Sequence, residues 1–290
     1  DGTESPTTRS WVENRAKRAE WGLARMSRLC NGQPTCAAAF DIPELVEKAF
    51  ETLGESPVAI TLSFPESAPS AGKVRVMVGP DDLASFIYGL QTSKYGVGGL
   101  PMFLTEQVAA GRDALATLLA TQVVSNAIAS ISGDESGMVT LMHIAMVCSD
   151  DPAKSLDEVE IDGSDRYATA FGLAEAREYV TLCNIMDVPE LPESSDALVS
   201  TDVPVLVLSG GLDVQTPSFL ADEVVASLPN ATHVIFPSGF HVQVANLNRC
   251  AIAILTAFVD DPHEDLDTRC REEMGDVQFL IPEDETTTKQ

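Results

Sequence analysis

Positive charge is scarce in this chain. Lys plus Arg number 18 in 290 residues against 44 Asp plus Glu, a formal net charge of −26. Phosphate binding needs clustered cations, so the balance argues against nucleic acid or an anionic membrane as a partner. Long apolar runs are also missing. The most apolar stretch, 114–131, is broken by Thr117, Thr121, Gln122, Ser125 and Asn126. It reads as a buried or amphipathic helix rather than a membrane span. There is no CxxC, and no Cys/His group has zinc-ligand spacing, which argues against a zinc site; no other metal and no organic cofactor is implied. His263 beside "EDLD" is the nearest thing to a metal ligand and carries no such expectation. "GVGG" at 96–99 lacks the G-x-G-x-x-G spacing, because Pro101 stands where the last glycine would be; it reads as a lid turn, not a phosphate cradle. The opening residues Asp1-Gly2-Thr3-Glu4 show neither a basic region nor an apolar segment of a signal peptide. A start without methionine fits a mature product, a fragment or a truncated frame. No internal repeat is visible.

What is present is a globular composition. Hydrophobic residues make up 44% and charged residues 21%, enough for a sizeable core in one large domain or two modest ones. Six cysteines fall into pairs along the chain, Cys30 with Cys36, Cys148 with Cys183, and Cys250 with Cys270. An even count fits disulfides and an oxidising compartment; it fits six unpaired thiols in a cytosolic protein equally well.

The first two-thirds read as mainly helical. Periodicity predicts helices over 9–29, 43–53, 81–93, 102–110, 111–127 and 169–182, and a hairpin of strands 58–64 and 73–78 with a long loop. Pro189, Pro192 and the Ser/Asp cluster at 194–197 mark a linker. The pattern then changes to strand 204–208, helix 218–227, strand 231–236 and helix 244–259. Such alternation argues for parallel strands with crossover helices, an α/β class. The acidic, Thr-rich tail 276–290 reads as a frayed terminus.

Each late strand ends on a group that carries chemistry. "VPVLVLSGGLDVQTP" leaves its apolar run through two glycines to a single acid, Asp213. The next strand ends in "PSGFH", which delivers His241. In open α/β sheets, functional groups gather outside the carboxyl ends of the strands. An acid there can accept the imidazole Nδ1 proton, fix its tautomer and stabilise the imidazolium. His143 in "LMHIAM" reads as a packed core histidine, and His233 lies within a strand. Asn230-Ala231-Thr232 is a glycosylation sequon, meaningful in a eukaryotic secreted protein.

The stretch from Val203 to Cys250 with "GGLDVQTP", a histidine 28 residues after Asp213, and "FVDDP" followed by "LDTRC" strongly resembles the tripeptidyl aminopeptidase-like branch of α/β-hydrolases, related to proline iminopeptidases. "LCNGQPTC", "YGLQTSKYGVGGLP", "GMVTLMHIAMVCSDDP" and "LCNIMDVPELP" resemble that family's cap, so the likeness runs over about 1–272. It implies an α/β-hydrolase fold, with a mainly helical cap at 1–195, the C-terminal part of the catalytic core at 196–275, and the acidic tail at 276–290. It implies paired cysteines and a secreted or periplasmic location. The chain order, Asp213 then His241, matches the last two members of the hydrolase triad. "CSDD" resembles the position where an acid meets a substrate's free amino group, which implies Asp150, with Asp151 next, for an ammonium that needs pairing.

The family's G-x-S-x-G nucleophile elbow is absent. "GDESG" at 133–137 has its serine one position off. The opening "DGTESP" resembles the segment that follows the elbow, so the expectation is a chain lacking its N-terminal hydrolase segment, supplied by the same precursor or a separate chain. A two-stranded remnant should be unstable or aggregate, and should show no hydrolase activity alone. The reading is an exopeptidase acting on peptides with free N-termini. Alternatives are an esterase or lactone hydrolase taking a small ester on the same scaffold, or a non-catalytic binding subunit.

Overall fold

Helix punctuation in the sequence sets the first layer of structure. Asp41 caps α3 (Ile42–Leu53), its side chain accepting from Glu44 N at 3.2 Å; Pro43 occupies the first turn and Gly54, at φ 83°, ends it. Ile42, Val46, Ala49, Phe50 and Leu53 line one face and are buried. The computed structural model describes residues 2–7, 11–64, 72–132, 140–150, 152–161, 163, 165–245 and 248–282.

Before α3 come α1 (Arg15–Asn31) and the short α2 (Pro34–Ala39), tied together by a Cys30–Cys36 disulfide. After it, β1 (Val58–Phe64) and β2 (Gly72–Val78) pair antiparallel from Val58↔Val78 to Phe64↔Gly72, the hairpin that the sequence predicts. Then follow α4 (Pro80–Gln91), α5 (Lys94–Ala110), α6 (Arg112–Ser132), α7 (Thr140–Ser149) and the long α8 (Arg166–Met186). The Cys148–Cys183 disulfide joins α7 to α8. Residues 187–204 are mostly exposed and lead to β3 (Val205–Gly210). A short turn of helix at 218–221 opens into α9 (Asp222–Ser227), which crosses to β4 (Ala231–Phe236). The last helix is α10 (Arg249–Asp260), and Cys250–Cys270 ties it to the segment beyond. All six cysteines are therefore bridged.

β3 and β4 pair in parallel, from Val205↔Ala231 to Gly210↔Phe236. Their carboxyl ends therefore point the same way, which fixes where the loops after them meet. Two main cores result. The large one combines α1, α3, α4, α5, α6 and α8. The smaller joins Leu208, Val234 and Phe236 of the strands to Ala251 and Ile254 of α10.

The structure departs from the sequence reading in several places. "GVGG" is not a turn: it lies inside α5, which Ser93 caps and which starts at Lys94, eight residues before the predicted start. Its glycines serve close approach instead. A Cβ on Gly96 would lie 1.9 Å from Leu90 O, and one on Gly98 would lie 2.4 Å from Gln278 O. The tail is not frayed as far as residue 282. Val277 and Phe279 are buried in the large core, Leu280 N donates to Gly98 O at 2.9 Å, and Gln33 Nε2 donates to Val277 O. The last helix starts at Arg249 rather than 244, because Asn248 caps it by accepting from Cys250 N and Ala251 N. Helix α7 is not among the helices that periodicity predicts, although the sequence reading names His143 and Cys148 there. "GDESG" at 133–137 and Asp151 lie outside the described residues.

Candidate active site

Two adjacent glycines let the loops after β3 and β4 meet. A Cβ on Gly210 would lie 2.4 Å from Phe240 O, and one on Gly211 would lie 2.5 Å from Pro237 O. With no side chain in the way, Gly211 N donates to Phe236 O at 2.8 Å and Leu212 N to Gly239 O at 2.9 Å. Those bonds set Asp213 and His241 side by side. His241 Nδ1 lies 3.0 Å from Asp213 Oδ2.

Asp213 is 2% exposed and its oxygens are fully engaged. Oδ1 accepts from Gln215 N at 2.9 Å and Thr216 N at 3.0 Å. Oδ2 accepts from Thr216 Oγ1 at 2.6 Å as well as from the imidazole. Burial pushes the carboxyl up, but the bonds from His241 and Thr216 together outweigh it and hold Asp213 below its ordinary value. The sign follows. A carboxyl whose folded pKa is depressed contributes stability that is present above about pH 4 and lost as pH falls through the folded value.

Thr216 settles the tautomer. Its hydroxyl lies 2.6 Å from Asp213 Oδ2 and 3.1 Å from His241 Nδ1. A hydroxyl has one proton, and the carboxylate accepts it. Nδ1 must then be the protonated ring nitrogen, facing two acceptors, and Nε2 carries the lone pair. That is the tautomer a general base requires. The His241 side chain is one-third exposed, so it can be reached from outside.

The histidine loop is held tightly. Val242, directly after His241, has φ 52°, a left-handed conformation that a β-branched residue adopts only under strain. Gln243 is buried, and its side-chain amide donates to Phe240 O while Asn248 Nδ2 donates to its Oε1 at 3.2 Å. A cleft of about 510 Å³ opens beside this loop, between Thr92 to Tyr95 and Gly239, Phe240 and Gln243.

The N-terminal segment runs past the same site. A Cβ on Gly2 would meet His241 Cε1 at 3.2 Å. Glu4 pairs with Arg18, a fully buried guanidinium, and Ser5 and Thr7 both donate to Glu223 Oε2. Burial, with Arg15 nearby, pushes the Arg18 guanidinium below its ordinary value. We expect Glu4→Gln to lower stability by about 2 kcal/mol. That is below the range for breaking a fully buried pair, because Glu4 keeps some exposure. Urea unfolding checks this; an unchanged midpoint would show that Arg18 does not depend on Glu4.

Asp150 directly follows α7, two residues past Cys148, and is exposed. Partial burial and the carboxylates of Asp196 and Glu4 push its carboxyl up. His143 is not a plain core residue. Its Nε2 lies 2.8 Å from Tyr179 OH, and its ring meets Trp11 edge-on at 5.2 Å. His233 Nε2 lies 2.9 Å from Ser209 Oγ, a bond between β4 and β3. No group of three His, Cys, Asp or Glu that could hold a metal occurs among the described residues, and His263 joins none.

Sequence reasoning missed Thr216, Arg18, Arg25, Tyr88 and Gln243. Thr216 was findable, because an acid followed three residues later by Thr in a turn is a local capping pattern. Arg15, Arg18, Gly22 and Arg25 share one face of α1, yet periodicity alone reads arginines as solvated.

Residues 168–270 match the family model Abhydrolase_4, described as TAP-like protein. The matched segment runs from α8 through β3, β4 and α10, and includes Asp213 and His241. It supports a TAP-like α/β-hydrolase family and the α/β-hydrolase fold for this part of the chain. "LCNGQPTC", "YGLQTSKYGVGGLP" and "GMVTLMHIAMVCSDDP" lie outside the match, and "LCNIMDVPELP" lies within it. No curated protein and no solved structure matches the chain. Among the described residues, no helix is long and apolar enough to cross a membrane.

Proposed function

We propose that this chain supplies the acid, the base and the cap of a serine hydrolase that releases short peptides or single residues from free N-termini. The observation that carries the reading is the Asp213–His241 hydrogen bond of 3.0 Å, on loops at the carboxyl ends of two parallel strands. In the proposed reaction a serine hydroxyl attacks the substrate carbonyl. His241 Nε2 takes its proton and later returns it to the leaving amine. Asp213 holds the ring and stabilises the imidazolium. The attacking serine belongs to a segment with the G-x-S-x-G elbow, which this sequence does not contain.

Peptide specificity rests on charge. Asp196 and Glu4 both lie within electrostatic range of Asp150, and an incoming ammonium beside Asp150 would relieve that repulsion. Asp151 would join Asp150 in that role. The three disulfides fit a secreted or periplasmic enzyme.

The test is to express the chain together with the elbow-bearing segment of its own reading frame and assay tripeptide anilides. Free N-termini should be cleaved, N-acetylated ones at least about 100-fold more slowly, since a carboxylate–ammonium contact contributes roughly 3 kcal/mol. This chain alone should turn over nothing. Equal rates on acetylated substrates, or turnover of esters only, would favour the esterase. Peptidase turnover by the chain alone would sink the assignment.

A further inference from the structure

The Asp213 loop is gripped from two sides. On the sheet side, Gly211 and Leu212 bond the end of β4 and the loop after it, as described above. On the other side, three of its carbonyl oxygens accept from cap side chains. Arg25 Nε donates to Gly211 O at 3.0 Å, Tyr88 OH to Val214 O at 2.7 Å, and Arg18 Nη1 to Gln215 O at 2.5 Å. The side chains agree with this. Leu212 and Val214 belong to the cap's core rather than to the core of the strands. Val214 packs against Gly22 of α1, where a Cβ would lie 2.5 Å from Val214 Cγ1.

The donors themselves are fixed. The Tyr88 ring stacks on Phe171 of α8 with centroids 4.0 Å apart. Burial pushes its phenol up to about 12, so the hydroxyl remains a donor across physiological pH. One turn along α4, Gln91 Nε2 donates to Tyr167 OH at 3.0 Å. A strand-end loop could bond water instead; this one is built into the packing of α1, α4 and α8.

On the reading of Asp213 as the acid, we propose that Tyr88, Arg18 and Arg25 are positioning residues, through which the cap sets the acid against His241. A ligand that shifts α1 or α4 would then be felt at the imidazole through Val214 and Gln215. Arg18 is too deeply buried to test cleanly. Tyr88→Phe removes only the hydroxyl and keeps the stacked ring, and Arg25→Met keeps the aliphatic stem.

The readout is the His241 Nδ1 proton in the ¹⁵N-histidine-labelled chain expressed together with its elbow-bearing segment, identified by its loss in His241→Gln. Held between Asp213 Oδ2 and Thr216 Oγ1, it exchanges with water only when the loop opens. In each variant its exchange should accelerate about tenfold, with α4 amide exchange unchanged and Tyr95→Phe, at a 92% exposed residue, without effect. Tenfold corresponds to about 1.4 kcal/mol, the size of one buried hydrogen bond. Unchanged exchange in Tyr88→Phe and Arg25→Met would overturn the positioning role and leave the acid–base pair standing. So would equal acceleration by Tyr95→Phe, which would mean general loosening. If Tyr88→Phe fails to fold, Arg25→Met decides. A wild-type chain with no protected Nδ1 proton would overturn both the pair and the clamp.

Discussion

Asp213→Asn should lower kcat about ten-thousandfold in the enzyme completed by its nucleophile segment, with KM little changed. The carboxylate accepts four hydrogen bonds, two of them on Oδ2 from Thr216 and His241. An amide of the same shape keeps the Gln215 and Thr216 amide contacts only if its oxygen stands at Oδ1. Its NH₂ then faces Nδ1 and the Thr216 hydroxyl. Imidazole answers by placing its lone pair on Nδ1 and its proton on Nε2, where the base should be. Losses of about that size follow when a triad acid is neutralised without a change of shape. The measurement is kcat at saturating substrate beside a far-ultraviolet spectrum that verifies folding. A loss under about tenfold would mean that Asp213 is a turn residue and no more.

Removing the Cys148–Cys183 bridge should produce the largest single loss of stability. It closes a separation of 35 residues, against 6 for Cys30–Cys36. Loop-closure entropy assigns about 4 kcal/mol to the longer loop and about 2 kcal/mol to the shorter. The Cys148→Ala/Cys183→Ala double variant also removes two sulfurs from a small buried cluster with Ile144. At roughly 2–4 °C per kcal/mol, a fall in Tm of about 10 °C is expected, and about half that for the Cys30 and Cys36 pair. Calorimetry of the two variants side by side decides it. Equal falls would mean that strain or residual unfolded-state structure outweighs loop length. The bridge bears on function because Asp150 lies two residues beyond Cys148, at the end of the helix that it anchors.

Local grammar explains what could be read in advance. Strands β1 to β4 are β-branched runs bounded by Gly, Pro, Asn and Ser, and they fold where that pattern puts them. Asp213 and His241 were legible for the same reason: each is the first ionisable group after an apolar strand. What escaped the sequence is non-local. "GVGG" looks like a turn until Gln278 O, about 180 residues away, is seen against Gly98. Val277 and Phe279 look like the start of a polar tail because only the fold offers them a core. Arg18 looks solvated because its two partners, Glu4 and Gln215 O, are respectively 14 residues before it and 197 after. Sequence order groups the Asp213 loop with the strands before and after it, yet its apolar side chains, Leu212 and Val214, pack into the large helical core.

The central claim is that His241, oriented by Asp213, serves a serine on a G-x-S-x-G elbow, a motif that this sequence does not contain. A fluorophosphonate probe tests it directly, because it reacts with a serine only when a base activates it. The complete reading frame should be labelled on one serine within G-x-S-x-G, and His241→Ala should abolish that labelling while folding is retained. Undiminished labelling of His241→Ala, or labelling of a serine within this chain, would contradict the account.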